Sequence, residues 1–196
     1  MTGISQSAWL QLLRHPTDPP SFAPFHLESS IQLQKELDRL KVSFRITGPI
    51  SELLWPKERT SNELERGHQL WQHTCFELFV SSSQSPAYCE WNFSSTKQWD
   101  HFHFDSYRQT SNSQQIVNAI QKIDFKKTAN SALIDVEIDL LKIPTLAKIL
   151  SNGETIFVST TVVLENKKSE KSYWALSHQD SQPDFHNKNS FIAKIL

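Results

Sequence analysis

The chain has 196 residues, with 20 Lys and Arg against 21 Asp and Glu for a net charge of −1, and is 38% hydrophobic and 11% aromatic. That is enough apolar material to fill the core of one domain. The balanced charge has no block of one sign and excludes the basic footprint of a nucleic-acid binder or an electrostatic membrane anchor, and no apolar run approaches the roughly 20 residues that span a bilayer.

Residues 1–21 read as a lead-in segment. Trp9, Leu10, Leu12 and Leu13 give a short apolar-periodic piece, and the three prolines of "HPTDPP" then forbid a continuing helix. "MTGISQSAWLQLLRHP" has no basic stretch ahead of an extended apolar core, which argues against a secretory signal. The expectation is a cytoplasmic chain in which Cys75 and Cys89 are reduced thiols.

Residues 31–34 alternate like a strand. Over 40–47, Leu40, Val42, Phe44 and Ile46 share one face and Lys41, Ser43, Arg45 and Thr47 the other, until Gly48-Pro49 ends the run. The charged stretch 57–69 predicts an exposed connection. Strands are predicted at 75–81, 87–94 and 99–105, the first two joined by the turn-forming "SSSQSPA". Further strands follow at 116–126 and at 133–140, where Ile134, Val136, Ile138 and Leu140 point inward. A short helix over 144–150 begins at Pro144. "TIFVSTTVVL", residues 155–164, is the most β-branched run and predicts a central strand. Strands near 172–176 and 190–195 complete the chain. With period two almost throughout, the predicted fold class is all-β: a single jelly-roll-like antiparallel β-sandwich over residues 1–196, with at most short helices.

Four glycines cannot build a phosphate-cradling loop, and neither a nucleophile elbow nor a paired Cys-x-x-Cys is present. The chain therefore reads as a non-enzyme without a cofactor. Three constellations remain. In "LWQHTCFELFV" and "YCEWNF", Glu77 and Glu90 interrupt aromatic strands. Residues two apart share a face, so Cys75, Glu77 and Phe79 point one way, as do Tyr88, Glu90 and Asn92. Paired as a hairpin, these strands would gather acids, an amide and rings on one face, which suits a polyhydroxylated ligand. The same carboxylates also fit the solvated face of an ordinary antiparallel strand. In "QWDHFHFD", His101 and His103 share a face and could hold a metal with His73, His178 or His186, although half-exposed strand residues account for them more simply. In the tail, Trp174 precedes a loop rich in His, Asp, Gln and Asn that Pro183 and Phe185 can anchor.

Together, "LWQHTCFELFV", "YCEWNFSSTKQWDHFHFDSYR" and "SYWALSHQDSQPDFH…SF" resemble the DOMON-like domains of bacteria, relatives of family 9 carbohydrate-binding modules, from about residue 22 to the C-terminus. The resemblance implies a β-sandwich with a non-catalytic role, binding a small molecule, most simply a sugar. It implies that Trp71 and Trp174 clamp the ligand, that Glu77 takes its hydroxyls and that Arg108 adds a polar contact; the strand-face parity places Glu90 and Asn92 beside Glu77 as further ligand-binding residues. Haem-binding relatives imply an alternative. Met1 is the only methionine, so histidine would have to ligate the iron. A protein-docking accessory domain is the other alternative.

Overall fold

The computed structural model describes residues 8–111 and 118–195. The first residues of the lead-in segment and of the expected 116–126 strand lie outside them. The strands are β1 (Leu10–Arg14), β2 (His26–Gln34), β3 (Arg39–Thr47), β4 (Glu65–Arg66), β5 (Cys75–Ser82), β6 (Tyr88–Phe93), β7 (Gln98–Ser106), β8 (Gln109–Thr110), β9 (Ile120–Lys127), β10 (Ser131–Asp139), β11 (Ile156–Glu165), β12 (Lys171–Ala175) and β13 (Ala193–Ile195). One short helix, α1 (Pro144–Ser151), joins β10 to β11.

The strands form a long curled sheet in the order β4-β7-β6-β5-β11-β12-β1-β2-β3-β10-β9, with β8 beside β7 and β13 beside β11. Among the described pairs only β4–β7 is parallel. The sheet folds over at β1. Leu10–Leu12 pair with β2 (Leu12 with Leu27), whereas Leu13 and Arg14 pair with Ala175 and Trp174 of β12. The lead-in segment therefore contains a strand that ties the two halves together. Strict alternation is lost where β1 changes neighbours: Leu12 is buried while Leu10 and Leu13 are exposed.

The core lies between the two halves. Ile134, Val136 and Ile138 of β10 sit opposite Phe44, Val42 and Leu40 of β3, and all six are buried. The register keeps these six side chains on the inner face, since a one-residue slip would turn the whole set outward. From the opposite half come Phe76, Leu78 and Val80 of β5, Trp91 and Phe93 of β6, and Val158 and Val162 of β11. β11 is the central strand that its β-branched composition predicts. It pairs with β5 along one side, and with β13 and then β12 along the other.

Candidate functional site

The outer face of the β5–β6–β7 half is not a solvated surface. A second, smaller cluster of Phe79, Tyr88, Phe104 and Phe191 covers it, with Phe102, Phe157 and Phe185 packed alongside. Three rows of paired residues, read from β11 across β5 and β6 to β7, map this face. They are Thr161–Glu77–Asn92–Asp100, Ser159–Phe79–Glu90–Phe102 and Phe157–Ser81–Tyr88–Phe104. Glu77 and Glu90 are thus diagonal neighbours on adjacent strands.

Both carboxylates are deeply set, at 3% and 6% exposure. The Thr161 hydroxyl donates to Glu77 Oε2 at 2.8 Å. Asn92 Nδ2 donates to Glu90 Oε1 at 2.7 Å, while the Cys75 thiol donates to Asn92 Oδ1 at 3.4 Å. Asn92 is fully buried beneath this row and holds Glu90 in place. Desolvation, followed by repulsion from Glu90, pushes the Glu77 carboxyl up to about 8. Desolvation likewise raises Glu90 to about 7, against the opposing pull of its Asn92 hydrogen bond.

Above these acids lies a cleft of about 500 Å³. Trp71, in the short 3₁₀ turn Leu70–Gln72, is 40% exposed at its rim and meets Phe102 edge-on, with ring centroids 5.5 Å apart. Tyr173 of β12 and Phe185 of the C-terminal loop, 6.0 Å apart, form the facing wall. The neighbouring side is built from His186 and Arg108. The Arg108 backbone N–H donates to the Tyr88 phenol oxygen at 3.0 Å, and that phenol lies 2.9 Å from His186 Nδ1. The phenol oxygen thus joins the turn at Arg108 to the His186 ring. Burial holds His186 down to about 4, so the ring is neutral near pH 7, and its Nε2 faces Glu90 Oε2 at 3.8 Å. Arg108 has φ 53 in the tight turn between β7 and β8, and its guanidinium is held by Asp184 at 2.8 Å. Tyr107 binds the same carboxylate at 2.6 Å, so Asp184 fastens the C-terminal loop over the cleft.

Of the residues singled out by sequence, Trp71, Glu77, Glu90 and Arg108 line this cleft. Asn92 supports it from below. Trp174 is not part of it. Its ring faces the inter-sheet core at 5% exposure, and its indole N–H donates to Ser172 at 2.8 Å. Trp174 pairs with the inward-facing Val162, so parity puts its neighbour Tyr173 on the cleft side. The aromatics Phe102, Phe104 and Tyr173 were hidden in sequence by attention to the opposite parity of their strands. His101, paired with Trp91, faces inward and stacks on that ring at 4.6 Å. Among the described residues, no three His, Cys, Asp or Glu side chains converge as metal ligands. Cys75 and Cys89 are both thiols, on opposite faces of the sheet.

The backbone has known counterparts. A candidate carbohydrate-binding protein of Bacteroides uniformis superposes with a TM-score of 0.64 over 94% of this chain and 84% of its own, at 12% identity. A family 9 carbohydrate-binding module of Caldicellulosiruptor kristjanssonii, in complex with cellotriose, superposes with a TM-score of 0.52 over 96% of this chain and 80% of its own, at 8% identity. The chain shares its fold with these two proteins. No protein-family model matches the chain, and neither does any curated protein.

Proposed function

We propose that this chain is a non-catalytic ligand-binding module of the DOMON-like kind, and that its cleft takes a carbohydrate. One observation carries the reading: a preformed cleft of sugar size with ring faces as walls and two hydrogen-bonding carboxyl groups as floor. Sugar C–H faces pack on aromatic rings, while hydroxyls exchange hydrogen bonds with acids and amides at fixed positions. Glu77 and Glu90 bind hydroxyls in this reading, and Trp71 and Tyr173 supply the opposed rings, Tyr173 in the place sequence reasoning gave to Trp174. Arg108 anchors the covering loop and presents its guanidinium at the rim. The fold likeness supports this assignment, as does the cellotriose held by the family 9 module.

The test is a titration with oligosaccharides read by tryptophan fluorescence. Trp71 is the tryptophan that lines the cleft, so a saturable change absent from Trp71→Phe is expected. No saturable signal and no heat of binding with any neutral, acidic or amino oligosaccharide would reject the assignment.

A further inference from the structure

The acids on the cleft floor have little to balance them. Glu77 accepts from Thr161 and Glu90 from Asn92, both neutral donors. Among the described residues, no lysine or arginine forms an ion pair with either carboxylate. Two cations, Arg108 and Lys171, line the cleft, and neither forms an ion pair with the floor acids. Arg108 is engaged by Asp184, and its pull on Glu90 ranks behind burial and the Asn92 hydrogen bond. Lys171 lines the cleft on the same parity as Tyr173, but its backbone lies four residues along β12 from Ala175, the residue in the row of Glu77, and it forms no ion pair with either acid. Asp100, beyond Asn92, is answered by Arg66 at 2.8 Å. His186 is neutral, and Cys75, Tyr88 and Tyr173 are uncharged at neutral pH.

Rings surround the two acids. Phe79 and Phe102 share the row of Glu90, and Trp71, Tyr173 and Phe185 stand above. Aromatic faces attract an organic cation, most strongly where water is excluded. An ammonium group has three N–H donors and no acceptor. That matches a floor of carboxylate oxygens in a way that a hydroxyl, donor and acceptor at once, does not require. We infer that the cleft is built for a ligand carrying a protonated primary amine, which on the carbohydrate reading is an amino sugar with its amine free. This rests on that reading and narrows it.

The consequence for protons follows from burial. Without a ligand, the raised pair retains protons near neutral pH. A bound ammonium favours the ionised carboxylates and, where the free ligand's amine is already protonated, expels a proton to the buffer, so binding tightens as pH rises toward about 7.

The experiment is calorimetric titration of the full chain with three β-1,4-linked trimers, those of glucosamine, N-acetylglucosamine and glucose, and with butylamine. Each is measured near pH 6, where the ligand's amine is protonated, in two buffers of different ionisation enthalpy. The glucosamine trimer should bind at least about tenfold more tightly than the other two trimers, and it alone of the three should release protons. In a Glu77→Gln, Glu90→Gln double variant the difference between the trimers should vanish. Equal affinity for all three trimers overturns the ammonium inference and leaves the carbohydrate reading standing. Butylamine binding as tightly as the glucosamine trimer keeps the ammonium and removes the sugar. No binding of any probe at about 10 mM overturns both.

Discussion

Glu77→Gln should make the protein more stable at alkaline pH, not less. Glu77 is 3% exposed, receives one hydrogen bond from Thr161 and has Glu90 as its diagonal neighbour. Its folded-state pKa is raised from 4.5 to about 8 by desolvation and then by Glu90. Between those values the folded state holds a proton that the unfolded chain has released. Stability is therefore full below about 4.5 and is lost as pH rises through about 8. At about 1.4 kcal/mol per pH unit, the loss amounts to a few kcal/mol, and Glu90 adds a loss of the same sign. For a chain of this length, each kcal/mol moves Tm by about 2–4 °C. Glutamine keeps the shape and still accepts from Thr161 but cannot ionise. Thermal melting followed by circular dichroism from about pH 5 to about pH 9 should show the wild type falling by roughly 10–25 °C. Glu77→Gln should show a shallower slope and the higher Tm at the alkaline end. A variant that melts below the wild type at every pH, with an unchanged slope, would refute the placement of an acid in this apolar site.

Other substitutions separate cleft from core. Trp71→Ala and Tyr173→Ala should each weaken sugar binding about three- to tenfold, with Tm nearly unchanged for Trp71, which is exposed at the rim; titration and melting on the same protein check this. Trp174→Ala should instead cost about 3–5 kcal/mol of stability in a denaturant titration, because it empties a large volume between the sheets. Val136→Ala, fully buried between Val42 and Ile123, should cost about 1–3 kcal/mol by the same measurement.

What was legible in the sequence was what period two encodes. The alternation of 40–47 and 133–140 gives β3, β10 and the core between them without knowledge of their pairing. Parity likewise put Glu77 and Glu90 on one face, and the hairpin register brought them together. Whether that face was wet or covered was not legible, because its cover comes from Phe185, His186 and Phe191 about 100 residues away. The same limit hid the second wall. Strand 171–175 carries Tyr173 and Trp174 on opposite faces, and only pairing with Val162 and Val163 of β11 tells which faces the cleft. In 98–106 the histidines drew attention to the inward parity, although the outward residues Phe102 and Phe104 build the site. β1 escaped because a strand that passes from one half of the sheet to the other breaks its own alternation.

The most direct test of the cleft as a carbohydrate site is amide chemical-shift mapping of the isotope-labelled chain during titration with the glucosamine trimer and with cellotriose. Saturable shifts should cluster on Trp71, Glu77, Glu90, Phe102, Tyr173 and the loop through His186, with the Trp71 indole among the largest. Shifts confined to another surface, such as the smaller cleft beside Trp55 and Lys97, or spectra unchanged by either trimer, would contradict it.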